Sequence, residues 1–191
     1  MRVASLERRH RRQIAPLLLD AGLCAAVYGV GNLPDGYGKR LSERCIEYPW
    51  LLGSQPSGIV LDAGGTLNHP WVIAALPESV SQVHVVTLAP ERRLCSSRLR
   101  YTRADLRDIP LEDASIDTVA CLSTLEHVGM DNRRYGISSG RAQDPQREAE
   151  QAMREMRRVL RPGGRLFLTV PFGAEFELGS MRQMTQRTLR R

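Results

Sequence analysis

Residues 58–65 read GIVLDAGG, and this stretch decides the fold class. A short apolar run that ends in an acid and two glycines is typical of a buried parallel strand followed by a tight turn. Residues 68–76 come next, where Asn68 is a plausible N-cap and Pro70 suits the first turn of a helix. A strand that leads through a glycine turn into a helix is the opening unit of an α/β fold.

The same alternation continues along the chain. Apolar runs predict strands near residues 59–63, 83–88, 100–104, 117–122 and 165–170. Ala89, Pro90 and Glu91 resemble a helix opening after the second strand. Helical segments between strands imply right-handed crossovers. We therefore predict a Rossmann-like, doubly wound, mostly parallel sheet with the strand order 3-2-1-4-5.

The clearest helix begins at Asp144-Pro145. Its apolar residues recur at steps of three and four, which predicts one buried face, and its arginines are expected on the solvent side. The apolar set is Ala149, Ala152, Met153, Met156, Val159 and Leu160, and the arginines are Arg154, Arg157 and Arg158.

Three parts are expected along the chain: a helical extension over residues 1–56, a central domain over 57–178 and a basic tail over 179–191. The extension should contain helices over about 5–21 and 41–52, the second ending near Pro49 and Trp50. The tail is polar and hardly strand-like, and we expect it to be solvated. Residues 8–30 superficially resemble a signal peptide, but Pro16 and Asp20 interrupt the apolar run. No membrane association is therefore predicted.

Composition limits the possible partners. The 5% aromatic content argues against a surface that stacks nucleic-acid bases, and the net charge of +6 is concentrated toward the C-terminal end of the chain. All but one of the basic residues are arginines, which suit phosphate and carboxylate binding but equally fit codon bias, so no nucleic-acid partner is inferred. The four cysteines are scattered without a zinc or disulfide spacing, which favours reduced thiols in the cytoplasm, and no metal site is predicted.

Two further motifs accompany the glycine turn. Residues 104–117 read ADLRDIPLEDASID and residues 155–166 read EMRRVLRPGGRL, while residues 125–128, between them, read LEHV. Together these segments resemble the class I S-adenosylmethionine-dependent methyltransferases, especially the small-molecule group often called type 11. That group's middle segment reads approximately Gly-Asp-Ala-x-x-Leu-Pro-Phe-x-Asp-x-Ser-Phe-Asp. The resemblance covers about residues 58–172.

The resemblance implies a cofactor site for S-adenosylmethionine at the carboxyl ends of the strands. Asp62, Gly64 and Gly65 would lie at its methionine portion. Asp105 would face the adenine amine, with Leu106 beside the ring. Leu122 and Ser123 would border the sulfonium and the substrate.

His127 would stand near the opening for methyl transfer, which makes it the candidate catalytic residue. It could act as a base, as a substrate ligand, or as a histidine bonded to a nearby carbonyl. The loop over residues 129–143 follows it, and contains Asp131, Asn132, Arg133, Arg134 and Tyr135. Long loops are often functional, so this one is either a substrate entrance or a solvated insertion.

The chain departs from the family pattern in three places. Thr66 and Asn68 stand where the family has its second and third glycines, which predicts a tighter loop. Thr87 replaces the acid that usually bonds the ribose hydroxyls, although Glu91 offers an alternative. Few residues follow the fifth strand, so the final antiparallel strands of the family are expected to be missing from the sheet.

These features predict methyl transfer from S-adenosylmethionine to an unidentified small-molecule acceptor. One alternative is a domain that binds the cofactor without catalysis, as a partner subunit or a truncated remnant. A nucleotide-dependent oxidoreductase is disfavoured because the G-x-G-x-x-G spacing is absent.

Overall fold

The computed structural model describes residues 2–138 and 140–190, with the side chains of residues 2–7 left out. Met1, Ser139 and Arg191 lie outside the described residues, so the predicted extension, loop and tail are each described without one residue. The chain divides into two compact units. The first comprises the residues up to Ser57 together with Leu67–Val80, and the second comprises Gly58–Thr66 with the residues from Ser81 onward.

The first unit is helical. Its helices are α1 (Arg2–Leu18), α2 (Ala21–Tyr28), α3 (Arg44–Gly53) and α4 (Pro70–Ala75). The helix predicted over 5–21 is present as α1 but ends at Leu18. Asp20 then accepts a hydrogen bond from the Leu23 amide at 2.9 Å and caps a second helix, which the sequence did not predict. Helix α3 continues through Pro49 to Gly53, beyond its predicted end. Residue His69, rather than Asn68, is the N-cap of α4.

The interior of this unit is tightly packed where α2 meets α3. A Cβ built on Gly53 would lie 2.0 Å from the Cys24 carbonyl oxygen, so only glycine allows this approach. The Tyr48 ring is 2% exposed and meets the Trp71 ring edge-on, with 5.6 Å between centroids.

The second unit contains the predicted parallel sheet. Its strands are β1 (Gly58–Ala63), β2 (Val80–Thr87), β3 (Leu99–Arg103), β4 (Ile116–Leu122) and β5 (Leu160–Thr169), in the order β3-β2-β1-β4-β5. The predicted strand order is therefore confirmed. Asp117 links β4 to β1 near the start of both strands, because its Oδ2 accepts a hydrogen bond from the Ile59 amide at 2.7 Å.

The connection from β2 to β3 differs from the expectation. Residues 88–98 form an irregular segment, and the helix predicted to open at Ala89-Pro90-Glu91 is wrong. The Thr87 hydroxyl oxygen accepts a hydrogen bond from the Ala89 amide at 3.1 Å, which turns the chain directly after the strand.

Helix α5 (Pro145–Val159) buries the predicted apolar face against the sheet, with Ala149, Ala152, Met156 and Val159 in one core cluster with Leu61. Asp144 caps it by accepting from two backbone amides at 3.1 Å.

Arg158 corrects the expectation that the arginines of this helix face solvent. Its guanidinium donates to the carbonyl oxygens of Ile109 and Leu111 at 2.7 and 2.9 Å, and pairs with Asp113 and Glu155. It therefore holds the segment after β3 against α5.

The C-terminal segment is structured rather than solvated. Strands β6 (Phe176–Leu178) and β7 (Met181–Gln183) form a separate antiparallel hairpin, followed by α6 (Gln186–Leu189). Ser180, Arg182 and Met184 are buried, so the prediction of a solvated, strand-free tail is wrong. No helix within the described residues is long and apolar enough to cross a membrane.

Candidate functional site

The turn after β1 brings the backbone into close contact with the segment that follows β4. Asp62 is fully buried at the end of the strand. Gly64 has a φ of +114°, and a Cβ built on it would lie 2.4 Å from the Thr124 side chain. A side chain at this position would therefore be strained by the backbone conformation and would also clash with Thr124.

The first departure from the family pattern has a structural role. The Thr66 hydroxyl donates to the Leu122 carbonyl oxygen at 2.9 Å, which ties the glycine turn to the end of β4. Leu122 is fully buried, and the next residue, Ser123, has a φ of +45°. Its amide donates to both oxygens of Thr169 at 2.9–3.1 Å, so the chain bends sharply at this point.

Glu91 lies beside the same turn. A Cβ built on Gly65 would be 3.3 Å from the Glu91 Oε1. Thr87 is 9% exposed at the end of β2, and its hydroxyl oxygen is engaged with the Ala89 amide. A carboxylate therefore lies at the glycine turn even though β2 itself ends in a threonine.

Asp105 follows β3 and is closed into an ion pair. Its two oxygens accept hydrogen bonds from Arg107 Nε at 2.9 Å and Nη2 at 2.5 Å, and Arg107 Nη1 reaches Glu148. Burial by itself raises the pKa of Asp105, but the hydrogen bonds and charge of Arg107 outweigh it, so the pKa lies below its usual value. Leu106, between them, is 6% exposed within the apolar core.

His127 lies in a short 3-10 helix, Leu125–His127, directly after β4. Its Nδ1 is 2.5 Å from the Ser180 carbonyl oxygen. Because a carbonyl only accepts, Nδ1 carries the hydrogen, and the lone pair of the neutral ring is on Nε2. The ring also meets Tyr135 edge-on at 5.2 Å.

A second 3-10 helix, Arg133–Tyr135, brings a cation to the same place. The Arg134 guanidinium lies 5.2 Å from the centre of the Tyr135 ring, and its Nη1 donates to the Ser180 hydroxyl oxygen at 3.3 Å. Ser180 is 5% exposed. One buried serine therefore contacts both the imidazole of His127, through its carbonyl, and the guanidinium of Arg134, through its hydroxyl.

The two halves of the site are joined by the irregular segment after β2. Gly136 ends the second 3-10 helix, and a Cβ built on it would be 3.3 Å from Pro90. Pro90 precedes Glu91, which lies beside Gly65. The candidate residues from β1, β2 and β4 thus belong to one continuous edge of the sheet, where parallel α/β folds bind ligands.

Sequence reasoning found most of these residues and missed two. Arg107 lies within the motif at residues 104–117 but was given no role there. Ser180 belongs to no motif and is separated from His127 by 53 residues, so no local pattern connects these two. Among the described residues, no three His, Cys, Asp or Glu side chains are grouped so that they could hold a metal ion.

The strand order defines a Rossmann-like α/β domain, and comparison with known proteins identifies its family. Residues 71–168, more than half of the chain, match the family described as a methyltransferase domain. The chain therefore belongs to the class I S-adenosylmethionine-dependent methyltransferases. A protein of Encephalitozoon cuniculi assigned as a methyltransferase is 30% identical over 112 residues, which are 59% of this chain and 44% of that protein.

Two solved structures are similar to this chain. The [4+2]-cyclase SpnF is 15% identical, with a TM-score of 0.53 over 88% of this chain and 65% of its own. A protein of Methanococcus maripaludis assigned as an S-adenosyl-L-methionine-dependent methyltransferase is 14% identical, with a TM-score of 0.47 over 89% of this chain and 63% of its own. The chain spans less than half the length of the curated relative, and the cyclase shows that this fold carries more than one chemistry.

Proposed function

We propose that this domain binds S-adenosylmethionine at the carboxyl ends of β1 to β4 and transfers its methyl group to a small-molecule acceptor. The chemistry of the available groups fits that cofactor. Asp62 and Glu91 are acids near the glycine turn, and Asp105 and Leu106 offer an acceptor and an apolar contact after β3. A cationic sulfonium, ribose hydroxyls and an adenine amine are matched by such groups, whereas a pyrophosphate is not.

The position of Glu91 is the observation that carries the proposal. The family's ribose-binding acid is missing from the end of β2, where Thr87 stands. The Glu91 carboxylate beside Gly65 offers the same chemistry from the following segment. Carboxylates form charge-assisted hydrogen bonds to hydroxyls that are about twice as strong as neutral ones.

When bound, the cofactor supplies a methyl group on a positively charged sulfur, which an acceptor removes by direct displacement. The chain contributes mainly alignment and exclusion of water. Leu122 and Ser123 would border the reacting atoms, with the sharp bend at Ser123 fixing their direction.

His127 would act as the base where the acceptor must lose a proton. Its Nδ1 hydrogen is committed to the Ser180 carbonyl, so the neutral ring takes up a proton at Nε2. The same contact matches the third role open to His127, a histidine bonded to a nearby carbonyl. It is also compatible with the base, because it fixes the tautomer that a base needs.

Calorimetric titration with S-adenosylhomocysteine, with NAD in parallel, tests the proposal. We expect S-adenosylhomocysteine to bind and NAD not to bind. Glu91→Gln should weaken binding by about tenfold, since a charge-assisted bond becomes neutral. Glu112→Gln is the matched control: Glu112 is an exposed acid just before β4, at the opposite edge of the sheet, and should bind as the wild type does.

Thr87→Asp separates the two candidates for the ribose. It should tighten binding only if residue 87 faces the ribose, and should weaken it if a buried carboxylate is left unpaired. Absence of S-adenosylhomocysteine binding at millimolar concentration by folded protein would contradict the proposal. Binding without turnover over a broad acceptor panel would instead favour a non-catalytic partner subunit.

A further inference from the structure

Arg134 lies in the second 3-10 helix, and within the described residues it pairs with no carboxylate. Its guanidinium is held by the Tyr135 ring and by the Ser180 hydroxyl, both of which are uncharged. Ion pairs with Asp or Glu are formed by other arginines, among them Arg44, Arg107, Arg133, Arg141, Arg158, Arg161 and Arg187. The charge of Arg134 is therefore oriented without being neutralised.

The adjacent arginine is neutralised. Arg133 donates to both oxygens of Asp131, with Nε at 2.9 and 3.0 Å from them. The hydrogen bonds from Arg133 lower the pKa of Asp131 to about 2, so the pair stays ionised at neutral pH. Within the second 3-10 helix, Arg133–Tyr135, the charge of Arg134 is therefore the one left without a carboxylate partner.

Arg134 is held close to the candidate base. Ser180 accepts from Arg134 through its hydroxyl and from His127 through its carbonyl, and Tyr135 contacts both side chains. A small molecule whose reacting atom contacts His127 can therefore also contact the Arg134 guanidinium with another of its groups. A planar guanidinium fork matches a carboxylate, and one uncompensated charge matches a single negative charge.

We propose that Arg134 binds the carboxylate of the methyl acceptor, and that Ser180 positions the guanidinium beside His127. The acceptor is accordingly a small molecule that carries a carboxylate as well as the group that is methylated. This inference names the substrate class of the function proposed above and rests on it. Arg134 is here a specificity residue, and Ser180 is a positioning residue.

The experiment uses sodium benzoate as the probe, because its carboxylate can meet Arg134 while its ring packs on Tyr135, which is 40% exposed. Benzamide has the same shape without the charge. Both are titrated into ¹⁵N-labelled protein, and the arginine Nε–Hε resonances are followed by NMR. We expect the Arg134 resonance to shift saturably with benzoate, with an affinity at least tenfold higher than for benzamide.

Two variants decide the assignment. Arg134→Met should abolish the saturable benzoate response. Arg157→Met removes the same charge from an exposed position on α5 and should leave the response unchanged. The proposal is overturned if the wild type fails to bind benzoate, if benzamide binds equally well, or if Arg134→Met binds benzoate as the wild type does.

Titration of the same variants with S-adenosylhomocysteine identifies the source of the carboxylate. The affinity should be equal in the wild type and in Arg134→Met. A loss in Arg134→Met would mean that the guanidinium holds the methionine carboxylate of the cofactor, which overturns the acceptor assignment. If wild-type protein binds benzoate through Arg134 but does not bind S-adenosylhomocysteine, the anion site stands and the proposed methyl transfer fails. The two proposals can therefore fail separately.

Discussion

Two arginines follow strands at the same edge of the sheet, and their electrostatic surroundings are opposite. Arg107, after β3, closes onto Asp105 and Glu148. Arg134, after β4, rests on an aromatic ring and a hydroxyl. Arg107 holds the segment after β3 to α5, and we call this ion-paired arginine the strap after β3. Arg134 keeps its charge available to a ligand.

The difference separates stability from binding. An arginine that is matched by carboxylates contributes to the free energy of unfolding and has little left for a ligand. An arginine that is oriented by uncharged groups contributes little to that free energy and retains its capacity for a bidentate anion contact. The arginine after β3 is therefore suited to stabilising the fold, and the arginine after β4 is suited to binding an anion.

The largest effect is expected where the turn after β1 supports the segment after β4. Gly64→Ala places a Cβ 2.4 Å from Thr124 and imposes a φ of +114° on alanine. Strain and overpacking together should cost about 3 kcal/mol of unfolding free energy, measured by urea denaturation. Binding of S-adenosylhomocysteine and of benzoate should both be lost, because the segment after β4 is displaced.

Gly163→Ala is the control for this substitution. Gly163 also has a positive φ, +80°, but no atom lies within 4 Å of the Cβ position. The cost there should be about 1 kcal/mol, from backbone strain alone. Equal losses in the two variants would show that the close approach of Thr124 has no influence.

A smaller effect is expected from the strap after β3. Arg107→Met should lower the unfolding free energy by about 1 kcal/mol at pH 7, since the pair is partly exposed to solvent. The folded-state pKa of Asp105 lies below its ordinary value of 3.8, so this stabilisation is fully present above pH 3.8. It is lost as the pH falls through the folded-state pKa.

Denaturation curves of the wild type and Arg107→Met at several pH values measure this dependence. The two proteins should differ at neutral pH and converge below the folded-state pKa of Asp105. A difference that persists unchanged in acid would show that Arg107 stabilises the segment by packing rather than by charge.

The smallest effect on stability is expected from Ser180→Ala, about 0.5 kcal/mol, because one neutral acceptor is removed. The contact with His127 uses the carbonyl and is retained. Benzoate affinity should nevertheless fall about threefold, since the Arg134 guanidinium loses its hydrogen bond to residue 180 and keeps only the contact with the Tyr135 ring. Unchanged benzoate affinity, measured by the same NMR titration, would remove Ser180 as a positioning residue.

Local chemistry allowed most of the fold to be predicted. The strands follow from short apolar runs, the glycine turn from turn-forming residues, and the apolar face of α5 from a period of 3.6 residues, all of which act over a few positions. The same local rules failed after Thr87, where Pro90 and Glu91 favour a helix start. The hydroxyl of Thr87 caps a turn there, and the chain stays irregular up to β3.

The sequence by itself determined the family, the strand order and the presence of an acid-and-glycine turn, because hydrophobic burial and backbone conformation are encoded residue by residue. Only the tertiary structure decided that Ser180 contacts His127 and Arg134, and that Glu91 lies beside Gly65. These contacts join residues far apart in the chain. Their geometry depends on how the β6–β7 hairpin and the irregular segment after β2 pack, and no local pattern specifies that packing.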